Sequence, residues 1–460
     1  MLKTANIDEL ENKKISKLLW QYALPAIVGT TVNALYNVID RFFIGHGPDL
    51  GKLGVTAIGI ALPIMIVLTA VGMLVGAGAA SRISIYLGRG EKDTAEKIIG
   101  NAFLLTIVLT GLASALLYIF LDDALILVGA SKDTFGFAEE FLHYYLPGSI
   151  FLTMCFSFNN MMRASGYPRK AMYTMLISVV ANIILAPLFI FAFKWGIKGA
   201  ALATVVSMFI GLCFVMHHFL NKNSMLRLRF SNIRFNGDIV KSIVSIGLAP
   251  FFIQLAAAVV TLFMIHQLRN YGGDAGVAAY TIANTLIMLV VMTIVGLTQG
   301  MQPIVGYNYG AKNFERVKET LTYTIKVGVA IGFVGLVFGL LLPELLAQAL
   351  ASDLTAIEIE DTAKALRIMT MMLPLVGFQI VVTNFFQSIG KAKESIFLSL
   401  SRQFLILIPA LYILPTMFQL DGVWASFPTA DFLATVLTAI LFIIQIRSFR
   451  KMEAQEINKL

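Results

Sequence analysis

Apolar stretches of about twenty residues or more recur along the whole chain, and each, as a helix, can cross a ~30 Å hydrocarbon core. Lipid offers no partner to an unpaired backbone group, so such stretches are helices or the strands of a closed barrel. No ten-residue alternating pattern supports a barrel. The expectation is an all-α polytopic membrane protein. Of the 460 residues 58% are hydrophobic and only 13% charged, against roughly 25% charged in soluble domains. That deficit excludes an ordinary cytosolic enzyme and a disordered chain.

Twelve spans are expected, at 18–44, 53–80, 98–121, 141–162, 171–193, 197–220, 240–267, 276–301, 321–342, 366–388, 396–417 and 423–446. Residues 1–17 are polar, and the first apolar segment is long and lacks an A-x-A exit, so it reads as a retained span and not a cleavable leader. Cys155 and Cys213 both lie in apolar segments, which indicates neither a disulfide framework nor a zinc site.

The net charge of +8 would suggest a nucleic-acid partner in a soluble protein. Its distribution argues otherwise. The tails and even-numbered connections, with their flanking turns, carry 27 of the 35 Lys and Arg, and the odd-numbered side carries eight. The positive-inside rule then puts both termini in the cytoplasm. The basic balance is a topology signal, and no nucleic-acid partner is expected.

The chain also repeats itself. Pro25 is matched by Pro250, Gly72-x-x-x-Gly76 by Gly296-x-x-x-Gly300, and Gly90-Glu-Lys-Asp by Gly310-Ala-Lys-Asn. Arg163-Ala-Ser-Gly166 is matched by Gln387-Ser-Ile-Gly390. Six spans per half make the repeat parallel, which implies two six-helix lobes related by a pseudo-twofold axis along the membrane normal. The expected domains are an N-lobe at 1–220, a polar cytoplasmic linker at 221–239 and a C-lobe at 240–460. This is a transporter layout.

Ionisable and amide groups inside spans are costly and face a cavity or a partner. Asn33, Tyr36, Asn37 and Asp40 recur at i, i+3, i+4 and i+7, which lines them up on one helical face. A polar stripe of this length favours a cavity over an acid that merely pairs with Arg41 near the helix end. Asn182, four residues before Ala186-Pro187, and Thr204 lie mid-span; taken singly, each reads more readily as helix–helix glue than as a site. Asp431 and Arg402 form either a structural ion pair or cavity-facing charges. His266 is either an interfacial histidine or a proton-handling cavity residue. Pro25 lacks the N–H that would reach the Gln21 carbonyl and marks an expected bend in the first span. Gly76-Ala-Gly78-Ala-Ala-Ser81 resembles a dinucleotide loop, but no strand precedes it. No Walker A, H-E-x-x-H or G-x-S-x-G is present, so nothing supports ATP-driven transport or a membrane hydrolase.

Tyr36-Asn-Val-Ile-Asp-Arg-Phe-Phe-Ile-Gly45, Pro25 and Asn182-Ile-Ile-Leu-Ala-Pro187, set in two six-span halves, resemble the multidrug and toxic compound extrusion (MATE) family, in its prokaryotic DNA-damage-inducible and MepA-like branch. The resemblance covers essentially the whole chain. It implies a multi-pass protein of the bacterial inner membrane that exports lipophilic, often cationic, drugs by alternating access, driven by inward H⁺ or Na⁺. No further cofactor is implied, and a monomer is expected.

By position, Asp40 matches the family acid that takes up the coupling ion, and Asn182 and Thr204 match positions that help to hold it. A Na⁺ ion would suit carboxylate, amide and hydroxyl oxygens at Asp40, Asn182 and Thr204; an isolated desolvated carboxylate would suit a proton. Asn33, Tyr36, Asn37 and His266 are the expected cavity residues. The family usually has Asp immediately before the span-5 proline, where this chain has Ala186, so one carboxylate is missing. A lipid-linked saccharide flippase of the wider superfamily stays open as an alternative. It would be expected to show a broad cationic cavity, whereas most arginines here lie in connections.

Overall fold

A computed structural model describes residues 9–47, 50–350 and 356–457. Helices account for nearly all of them, and no strand occurs among the described residues. The first half of the chain forms α1 (Ile15–Gly45), α2 (Gly51–Gly88), α3 (Lys92–Ile119), α4 (Lys132–Ala164), α5 (Pro168–Pro187) and α6 (Gly196–Leu220). The second half begins with α7 (Gly237–Gly273) and α8 (Ala275–Gly310), which meet at Gly273, where φ is 59°. There follow α9 (Phe314–Leu341) and α10, a pair at Ala356–Thr370 and Leu373–Ser388 bent by 46°. Helix α11 runs over 392–418 through a π-helical turn at Ser401–Leu407, and α12 (420–457) follows the non-helical Gln419.

Among the described residues, eight helices are long and apolar enough to cross a membrane, or nine when the bent pair is one span. The long apolar run Ala392–Phe449 counts once there, although Gln419 breaks it in two. Two expected spans, 18–44 and 141–162, lie in α1 and α4, which are long enough to cross but are not among those eight. Both carry polar side chains along their length: Asn33 and Asp40 in α1, and His143, Tyr144 and Tyr145 in α4.

The duplication is visible in hydrogen bonds. After α4, Gly166 N–H donates to the Arg163 carbonyl and Tyr167 N–H to that of Met162, at 3.1 and 3.2 Å. After α10, Gly390 N–H donates to Gln387 and Lys391 N–H to Phe386, at 3.1 and 2.8 Å. Gly166 and Gly390 have φ of 92° and 79°, the left-handed region in which a Cβ is disfavoured. The turn after α2 closes the same way at Gly90 (φ 78°), but its counterpart after α8 is Lys312 (φ 61°) and not Gly310. Short helices at Leu121–Leu127 and Pro343–Leu350 follow α3 and α9, which extends the correspondence.

The repeated glycine pairs have diverged in what they receive. In α2, Gly72 and Gly76 lie against Thr153 and Ser157 of α4, and Ser157 Oγ donates to the Gly72 carbonyl at 3.0 Å. In α8, Gly296 and Gly300 lie against the backbone of Ile27 and Ala23 in α1. Small residues permit such backbone approach. The first part of α7 does the same in the other half: a Cβ on Gly247 would strike the Leu74 carbonyl, and one on Gly78 would strike that of Ile243.

These seams explain the two compact units. One comprises the segment up to Lys13 and Val28–Leu255; the other comprises Lys14–Ile27 and Ala256–Leu460. The expected lobes follow the sequence repeat, whereas the compact units follow packing, so α1 and α7 each change unit partway along their length. The connection 221–239 belongs to the first unit.

Candidate functional site

Helix α5 ends at Pro187 and continues as a π-turn, Leu188–Ala192. Such turns are frequent where a helix carries a functional group. Met175, Asn182 and Ala186 are spaced by seven and four residues and so share one face of α5. Gly29 faces this side, because a Cβ there would sit 2.7 Å from the Met175 sulfur. Further along, the Phe43 and Phe191 rings meet edge-on with centroids 6.5 Å apart. Asp40 follows Gly29 by eleven residues and Ala186 follows Met175 by eleven. The two contacts are offset by 146 and 148 residues, which sets Asp40 opposite the 186–188 stretch of α5.

Asp40 is buried, at 9% exposure. The phenol of Tyr145 from α4 is within electrostatic range of its carboxylate. Tyr145 and Ala186 belong to one apolar core with Ile44, Leu142, Ile190 and Ala203. Ala186 is fully enclosed there, and its methyl group offers no oxygen.

One turn before Ala186, Asn182 is 1% exposed and donates from Nδ2 to Thr204 Oγ1 of α6 at 3.4 Å. Thr204 in turn donates to the Ala200 carbonyl at 3.2 Å, and Ser207 Oγ donates to the Thr204 carbonyl at 2.8 Å. The threonine hydrogen is thus committed, which fixes the orientation of the amide. Asn182 Oδ1 has no hydrogen-bond partner among the described residues. A buried amide oxygen left over costs about 1–3 kcal/mol. It therefore suits a cation or a proton donor, and a neutral amide–hydroxyl pair fits the oxygen preference of a hard cation.

Asn33 is an exposed position of α1, and the side chains of Tyr36, Asn37 and Arg41 lie outside the described residues. Pro25 lies inside a continuous α1, two residues before the helix changes unit. His266 belongs to the second unit, where it is exposed and paired with Asn270 at 3.1 Å. Asp431 and Arg402 form an ion pair: Nε lies 2.7 Å from Oδ1, the acid is 3% exposed, and the arginine stands on the π-turn of α11. Gln379 of α10 braces this corner by donating to the Asp431 carbonyl at 2.6 Å and to Thr435 Oγ1 at 2.9 Å.

Tyr145 escaped the sequence reading. A tyrosine inside an apolar run looks like core until the fold brings an acid within electrostatic range of it.

Helices of this length, duplicated in this way and carrying buried polar groups between them, define a multi-span membrane transporter. The chain belongs to the MatE family, the MATE transporters, whose profile matches it twice, at 25–188 and 246–413. The multidrug export protein MepA of Staphylococcus aureus (strain N315) is 26% identical over 461 residues, covering 99% of both chains. That of Staphylococcus haemolyticus (strain JCSC1435) is 26% identical over 441 residues, covering 96% of both. Among solved structures, a MATE protein in the bent conformation matches with a TM-score of 0.91 at 24% identity, over 98% of this chain and 99% of that one. A MATE protein in the straight conformation matches at 0.90, again at 24% identity, over 96% and 98%.

Proposed function

We propose that this protein is a secondary-active multidrug exporter of the bacterial plasma membrane, with twelve spans in two six-helix lobes and both termini in the cytoplasm. Its substrates are lipophilic and cationic compounds, in keeping with its likeness to the multidrug export proteins MepA. The reading of the site rests on one observation: a buried, neutral amide–hydroxyl pair with a leftover oxygen, one turn from the level of a buried carboxylate.

In this reading Asp40 takes up the coupling ion, and Asn182 and Thr204 supply neutral oxygens. Burial disfavours a bare carboxylate, so Asp40 gains by taking either a proton or Na⁺. Asn33, Tyr36, Asn37 and His266 are proposed to line the path of the drug. Filling the site changes how the second part of α1 packs on α5, and Pro25 allows α1 to bend as that packing changes. With Ala186 in place of a second acid, Asp40 is the single proposed carboxylate of this group.

The test is dye export from proteoliposomes, with ΔpH and the Na⁺ gradient imposed separately. Ethidium export driven by one gradient and not the other identifies the ion. Absence of export under either gradient overturns the reading.

A further inference from the structure

The connection between the halves, expected to be a polar linker, is docked along its length. Met225, Leu226 and Leu228 are buried. Leu228 N–H donates to the Phe219 carbonyl at 3.0 Å, Ser224 Oγ bonds the His218 carbonyl, and the Tyr167 hydroxyl is hydrogen-bonded to the Met225 backbone. Burial pushes the Tyr167 phenol above its ordinary pKa, as expected for a group beneath a cover. The first turns of α3 hold the next stretch. Glu96, fully buried, accepts from the Arg227 N–H at 3.3 Å and pairs with Arg229 Nε at 2.7 Å. Asn101 Oδ1 accepts from the Asn236 N–H at 2.8 Å, and Gly100 lies directly under the Asn232 carbonyl.

A strap held so firmly has a defined outer face. Phe230 is 83% exposed and Phe235 57%. Lys222, Arg229 and Arg234 are exposed alongside them, and Asp238 is the one acid within 221–239. The strap starts where α6 ends and stops where α7 begins, so it lies at the level at which two apolar helices emerge from the bilayer. Aromatic rings and basic side chains together at that level match the chemistry of an anionic membrane surface: rings enter the headgroup region and cations meet phosphates.

We propose that residues 222–235 form a contact site for anionic phospholipid, with Phe230 and Phe235 seated in the interface and Lys222 and Arg234 on the phosphates. The site depends on the membrane setting alone and not on the transported substrate or ion. The strap gives it a fixed position, since Glu96 and Asn101 anchor the backbone on either side of Phe230.

The test places tryptophan in the strap by Phe230→Trp and, separately, Phe235→Trp, both at exposed positions. Each variant is reconstituted in nanodiscs of phosphatidylcholine brominated near the headgroup end of its acyl chains, with and without phosphatidylglycerol. The expected result is quenching above the background from Trp20, Trp195 and Trp424, rising as phosphatidylglycerol is added. Lys222→Gln with Arg234→Gln should raise the phosphatidylglycerol needed for half-maximal quenching about two- to fivefold, with the unfolding temperature unchanged. Quenching of the new tryptophan by aqueous iodide but not by brominated lipid overturns the proposal, and points to a cytoplasmic protein partner or open solvent. Lipid quenching that ignores phosphatidylglycerol overturns it equally.

Discussion

The first compact unit buries Asp40 in its bundle and the second buries Asp431, and the two acids are surrounded differently. Asp431 has an arginine 2.7 Å away, so its charge is answered within the fold. The polar side chains nearest the level of Asp40 on α5 and α6 are an amide and a hydroxyl, which supply oxygens and no positive charge. If Asp40 takes up the coupling ion as proposed, the two acids have separate duties, one exchanging an ion and the other holding helices together.

The largest effect should come from Asp40→Asn. Ion-driven ethidium export by proteoliposomes is expected to fall to background, with the protein still folded by circular dichroism. Export at the parental rate would erase the contrast between the two acids. Asp431→Asn should instead act on stability. It leaves the Arg402 guanidinium without its counter-charge in a partly buried corner, for a loss of about 3 kcal/mol, read as a lower unfolding temperature in detergent. The double variant Arg402→Met with Asp431→Leu should recover most of that loss, because an apolar pair can replace a buried ion pair.

A sharper form of the comparison adds a charge to the first unit. Ala186→Asp puts a second carboxylate level with Asp40, and like-charge repulsion should strengthen the dependence of export on H⁺ or Na⁺. Unchanged ion dependence would mean that Asp40 works with partners outside α5. The smallest effect concerns the matched turns. Lys312→Gly should stabilise the second half by roughly 1 kcal/mol, and Gly90→Ala should destabilise the first by about as much, both by thermal unfolding.

Much of this was legible in the residues. Apolar runs announce helices because lipid permits little else, and Gly166 and Gly390 stood out as repeated turns because only glycine takes that backbone freely. Asn182 and Thr204 stand out singly as mid-span polar residues that read as helix glue, and only the family resemblance joins them to Asp40. Other features were hidden for physical reasons. Nothing local in the string 221–239 says that Leu226 is buried or that Glu96, more than a hundred residues earlier, holds Arg229. The divergence of the glycine pairs was equally silent, since Gly72 and Gly296 look alike until their neighbours, Thr153 and Ile27, are known.

The seam of Gly296 and Gly300 against Ile27 and Ala23 carries a consequence for biosynthesis. The opening turns of α1 are made first, yet their seat in α8 is translated some 270 residues later. The first unit, in turn, is incomplete until the chain has been made as far as Leu255, because α2 waits for Ile243 and Gly247. Neither half can finish assembling as it emerges from the ribosome, and long-separated pairings of this kind form late. A nascent chain stalled after α6 would leave Gly78 on α2 uncovered and its leading helix unseated, both substrates for quality control.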